Sequence, residues 1–207
     1  KYLRFSLTKS SFENEPLACS FNSLVTIARD YLKDMNINVS DIKKRLAVKY
    51  EELSKTHSTE LIRALTIGGK KKIASLFKNG KASIADIVLS DTYYLSNIDI
   101  VIISQNFRIP LILFSSTTLP ENNSPYLIAY TEKAAKHYFL KIPGVQIDGP
   151  MKYKLVASDG GGLIKTSSLR GDIATFMKNT QTYLDIEQLL TAIGGKALKT
   201  KKKLTIK

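Results

Sequence analysis

The sequence predicts an α+β domain in which helices pack on a small, mostly antiparallel sheet, and three observations carry that expectation. Between Cys19 and Ser90 apolar residues recur at three- and four-residue spacing, the period of amphipathic helices. Short β-prone segments follow at residues 109–114, 126–130, 137–142 and 152–157. A chain of 207 residues with 43% apolar composition can bury one ordinary core.

Taken in order, Phe21, Leu24, Val25, Ala28, Tyr31 and Leu32 form one face of a first helix running to about residue 33, with Cys19 in its first turn. Ser40 is placed to cap a helix over 41–54, with Ile42, Leu46, Tyr50 and Leu53 on its apolar face. Thr59 starts a short helix through Leu65, stopped by Gly68-Gly69. Residues 71–78 form another, and Ser83 caps one over 84–90 with Asp86 as its first-turn acid. The run 109–114 suits a central strand, and 117–125 a loop. Segments 126–130 and 137–142 are expected to pair as an antiparallel hairpin, with 152–157 a further strand. Gly160-Gly161-Gly162 marks a boundary between a domain at 1–158 and a linker, short helical extension and basic tail at 159–207. In that extension Asp172 caps a helix through 178. Thr182 starts another, bearing Leu184, Ile186, Leu189, Leu190 and Ile193 and ended by Gly194-Gly195.

The formal charge is +13. Six lysines and no acid lie between Lys196 and Lys207, and Lys43-Lys44-Arg45 and Lys70-Lys71-Lys72 add to the excess. Such a charge draws phosphate backbones or acidic surfaces in a salt-dependent way. Without tryptophan, a zinc ligand set or interleaved arginines and aromatics, base-specific readout is not indicated. No stretch reaches the ~18 apolar residues of a membrane span, and none reads as a signal peptide. A single cysteine excludes an internal disulfide and fits a reducing, cytoplasmic setting. Opening on Lys1, the chain is expected to be part of a longer protein or polyprotein. No metal or organic cofactor is indicated.

Cys19 is the candidate nucleophile. In a first helical turn, unpaired N–H groups and the positive helix end favour the thiolate, the attacking form. A small buried residue is the alternative. A thiol needs a base, and there are two histidines. His57 sits in a polar loop at 54–59. His137 opens a β-prone segment, a rigid mount for a general base, or equally a structural residue at a strand edge.

Cys19-x-Phe21-x-Ser23-Leu24 at a helix start, Ile109-Pro110 with its apolar run to Ser115-Ser116, and the late His137-Tyr138 together resemble the ovarian-tumour (OTU) family of cysteine proteases, over about residues 1–157. The resemblance implies a papain-like architecture and a helix followed by a buried strand across 96–116. It implies that Cys19 attacks a carbonyl while His137 takes its proton and returns it to the leaving amine. The implied substrates are ubiquitin or ubiquitin-like conjugates, or a viral polyprotein junction. Gly68-Gly69-Lys70 and Gly194-Gly195-Lys196 then read either as sites for such a protease or as helix ends. Two departures stand out. The family's Asp-Gly-x before the cysteine is Pro16-Leu17-Ala18 here, in the loop whose N–H groups, at Ala18 and Cys19, would hold the oxyanion. The orienting position two residues after the histidine is Phe139, leaving Asn14, Glu15 or Asp148 as candidates for that role. The second expectation is therefore a catalytically inactive OTU-like interaction module, associated with nucleic acid through its basic surface.

Overall fold

A computed structural model of the protein describes residues 2–4, 6–7, 16–132, 137–142, 153–157, 163–165 and 184–204. Helix α1 (Pro16–Leu32) opens on a proline, whose missing N–H would be unpaired in a first turn anyway. It buries Phe21, Leu24, Val25, Ile27 and Ala28. Helix α2 (Val39–Thr56) starts one residue before the predicted cap. Asn38, not Ser40, closes it: the Asp41 N–H donates to Asn38 Oδ1 at 3.2 Å, and the Asn38 N–H donates to the Asp41 carboxylate at 3.0 Å. Replacing Asn38 with Ala is expected to cost about 1 kcal/mol in urea denaturation.

Helices α3 (Ser58–Ile67) and α4 (Lys71–Lys78) meet at Gly68-Gly69, where Gly69 takes the left-handed conformation at φ 82°. Ser83 caps α5 (Ile84–Leu89) as expected, its Oγ accepting the Asp86 N–H at 3.0 Å. Helix α6 (Asn97–Phe107) is buried on nearly every side, so it lacks an amphipathic period. It ends at Arg108 in the left-handed region, φ 54°.

The strands are β1 (Tyr2–Arg4), β2 (Ser6–Leu7), β3 (Leu111–Leu119), β4 (Ser124–Tyr130), β5 (Tyr138–Ile142), β6 (Lys154–Ala157) and β7 (Leu163–Lys165). A five-stranded sheet runs in the order β2-β6-β5-β3-β4, and β1 pairs with β7 separately. Every pairing is antiparallel except that of β3 with β5, which is parallel. The α+β class and the mostly antiparallel sheet are as read from the sequence; the hairpin of segments 126–130 and 137–142 is not. β4 folds back on β3, which runs on to Leu119 into the predicted loop, and β5 takes the other edge of β3.

The sheet has two unequal faces. Leu111, Leu113, Leu127, Ala129, Tyr138, Leu140 and Ile142 join the main core with the helices. On the opposite face Ile112 and Phe139 form a small cluster with Phe114, Tyr126 and Ile128.

Beyond residue 159, β7 pairs with β1, and helix α7 (Ile186–Leu204) buries Ile186, Leu189, Leu190 and Ile193 in the main core. Gly194 and Gly195 lie inside α7 rather than ending it. A Cβ at Gly194 would come 3.2 Å from Glu60 Cγ, and Arg63 Nη1 donates to the Gly194 carbonyl at 3.0 Å. This glycine permits close helix approach. The predicted helix at 172–178 and the glycines at 160–162 lie outside the described residues. Among the described residues no helix is long and apolar enough to cross a membrane.

Candidate functional site

Cys19 stands in the first turn of α1, as the sequence indicated. Its side chain and that of Ala18, together with Asn14, Glu15 and Asp148, lie outside the described residues. His57 forms the junction of α2 and α3. His137 directly precedes β5 and is half-buried, its Nε2 2.6 Å from the Thr131 hydroxyl. Thr131 was not among the predicted orienting residues; its only sequence signal is its place after β4, six residues before the histidine.

The neighbouring residue, Tyr138, contacts α1. The Tyr138 hydroxyl donates to Asp30 at 2.5 Å, and its ring meets that of Tyr31 edge-on, with centroids 6.2 Å apart. Burial, then the Asp30 carboxylate, pushes the Tyr138 hydroxyl well above its ordinary pKa. Around it Tyr31 and Tyr130 both donate to Glu132, at 3.2 and 3.1 Å, and Arg108 lies 3.4 Å from the same carboxylate. The start of β5 is thus fastened to the last turns of α1. Asp30 is eleven residues beyond Cys19, about 16 Å along the helix axis.

Side chains alternate across a strand, so residues of one parity share a face. Tyr138, Leu140 and Ile142 face the helices, whereas Phe139 lies on the opposite face. The structure brings His137 to Thr131 and Tyr138 to α1.

A second polar cluster escaped the sequence reading. Asp99, in the first turn of α6, is fully buried and accepts hydrogen bonds from Tyr50 and Tyr93 at 2.6 Å each, from the Ser96 N–H at 2.5 Å and from the Ser96 hydroxyl at 2.9 Å. The Lys70 ammonium lies 2.5 Å from it and 3.8 Å from the centre of the Tyr93 ring, with no exposed side-chain surface. Beside this group Asn97 donates to the buried Glu121 at 3.1 Å and accepts from Tyr153 at 2.9 Å. Loss of hydration outweighs the attraction of Asp99 and lowers the Lys70 pKa to about 8. Burial raises the hydroxyls of Tyr50, Tyr93 and Tyr153 well above their ordinary value. The signal in the sequence was Ser96-x-x-Asp99 before an apolar run, a capping box. With no group open to solvent, this cluster fastens α2, α4 and α6 together. The same burial of Lys70 closes Gly68-Gly69-Lys70 to a protease channel, which requires an accessible extended segment.

Cavities of about 380 and 360 Å³ lie beside Arg45 and Phe107 and beside Gln105 and Ile186; neither is lined by His137. Among the described residues no group of three or more His, Cys, Asp or Glu side chains could hold a metal. Compared with protein-family models, curated proteins and solved structures, the chain matches none.

Proposed function

We propose that this chain is an OTU-like module that works by binding rather than by hydrolysis. One observation carries the reading: the start of β5 is fastened through Tyr138 to Asp30, eleven residues beyond Cys19 on α1, while His137 Nε2 meets the Thr131 hydroxyl. A base must lie within hydrogen-bond reach of its nucleophile, directly or through one water. The missing Asp-Gly before Cys19 and the buried Phe139 after His137-Tyr138 agree with this reading.

A second reading keeps the thiol hydrolase of ubiquitin or ubiquitin-like conjugates or of a polyprotein, with Cys19 as nucleophile and His137 as base. The Thr131–His137 hydrogen bond favours it, because a hydroxyl that fixes one ring nitrogen does what an orienting residue does for a general base.

Full-length ubiquitin carrying a thiol-trapping electrophile at its C-terminus separates the two. On the binding reading no adduct forms, and the rate at which iodoacetamide alkylates Cys19 at a fixed pH is unchanged by His137→Ala. An adduct that disappears with Cys19→Ala and slows by about 10²-fold or more with His137→Ala would establish the hydrolase instead.

A further inference from the structure

We infer that the cavity between the end of α1, the start of α2 and the end of α6 binds a free α-amino acid with a large apolar side chain, taking its carboxylate on one pair of charges and its ammonium on another. Neither Cys19 nor His137 lines this cavity, so the inference does not rest on the reading proposed for them. Its volume is about 380 Å³. That lies at the small end of the roughly 300–1,000 Å³ spanned by ligand sites, so a compact ligand suits it better than an extended one. Ile37 and Phe107, both buried, and the more open Leu32 give it an apolar wall.

Two acids and two bases line the same space: Asp34, Asp41, Lys44 and Arg45. Among the described residues no ion pair joins any of them to another. Asp41 and Arg45 stand four apart on α2, acid first, the spacing and order at which a helix ordinarily joins such a pair. Here each is held elsewhere. The Asp41 carboxylate accepts the Asn38 N–H at 3.0 Å in the capping box, and the Arg45 guanidinium lies over the Phe107 ring, 4.4 Å from its centre. Stacking orients the guanidinium plane but occupies none of its N–H donors, which match a carboxylate in a two-pronged bond. On the loop side Asp34 accepts the Asn36 N–H at 2.9 Å, and Arg29 Nε donates to the Ile37 carbonyl at 2.7 Å, so the wall between the helices is tied down.

Charges of both signs kept apart beside an apolar wall select the ligand. A polyanion would meet two carboxylates and a simple cation two bases, whereas a zwitterion satisfies both. An internal peptide segment carries neither terminal charge. The charges at the other cavity are already joined, because Lys49 lies 3.0 Å from Glu52 and 3.8 Å from Glu187.

The test is a titration of the isotope-labelled full chain with L-phenylalanine, followed through its backbone amide signals. Shifts are expected from Leu32 to Arg45 and at Phe107, with a Kd of about 0.1–10 mM for a ligand of about a dozen heavy atoms in an open site. Phenylalaninamide, which lacks the carboxylate, and N-acetylphenylalanine, which lacks the ammonium, should each bind about tenfold more weakly, and glycine more weakly still. Lys44→Met/Arg45→Met should weaken phenylalanine about tenfold and erase its advantage over the amide. Asp34→Asn, whose side chain can still accept the Asn36 N–H, should shrink its advantage over the acetylated form. All three positions are exposed, and unchanged signals away from the cavity verify that the variants fold. Absence of shifts at these residues, equal binding of phenylalanine and its amide, binding of glycine as tight as that of phenylalanine, or indifference to both variants would overturn the inference.

Discussion

Replacing Asp99 with Asn lowers the unfolding free energy by about 3–5 kcal/mol, measured by urea denaturation, because it strands the Lys70 ammonium in a dry interior. The shape of the side chain is kept, so the loss reports charge and hydrogen bonding rather than a cavity. Asp99 also accepts from Tyr50, Tyr93 and Ser96, which Asn can satisfy only in part. The double variant Lys70→Met/Asp99→Asn is expected to regain much of the loss, since removing both members of a buried pair is far cheaper than removing one. A double variant no more stable than Asp99→Asn would show that the tyrosine hydrogen bonds dominate.

Stability should rise, not fall, as the solution is made mildly alkaline. Lys70 titrates near 8 in the folded protein against an ordinary value of 10.5. Between those values the folded chain binds fewer protons than the unfolded one. The stabilisation is complete above about pH 10.5 and lost as pH falls through about 8, a difference of about 3 kcal/mol. Tyr50, Tyr93 and Tyr153 act in the opposite sense: their raised values favour the folded state below about pH 10, and that advantage is lost above it as the unfolded tyrosines ionise. Thermal melts from pH 7 to 11 should therefore pass through a maximum near pH 9–10. Lys70→Met should flatten the rise and keep the fall. A monotonic decline in the parent protein would refute this account.

The helical half was legible because its signals are local. Phe21, Leu24, Val25 and Ala28 mark the buried face of α1, and Ser83 with Asp86 fixes the start of α5 within the four residues that form the cap. Strand pairing is not local. Segments 126–130 and 137–142 resemble the arms of a hairpin, yet nothing in either says that β3 takes both neighbours. Lys70 shows the same limit at one residue: it cannot be told from Lys71 and Lys72 in the sequence, and only Asp99, twenty-nine positions away, makes it a core residue. For the candidate site, Cys19 at a helix start and His137 beside a strand were both readable. What meets α1 depends on strand pairing and on which end of α1 faces β5, neither of which a motif encodes.

The position of α7 bears on how the chain is made. During synthesis α3 and α6 emerge long before residues 186–193, yet those residues supply part of the apolar cover for both helices, and the flanking carbonyls of Gly194 and Leu184 accept hydrogen bonds from Arg63 and Gln105. Until they leave the ribosome, the nascent domain carries bare apolar surface, and β3 has an unpaired edge until β5 follows. At ~5–20 residues per second this interval lasts several seconds, far longer than a helix or hairpin needs to form. Ribosome-bound chains halted before residue 186 should therefore be chaperone clients in a way the finished domain is not.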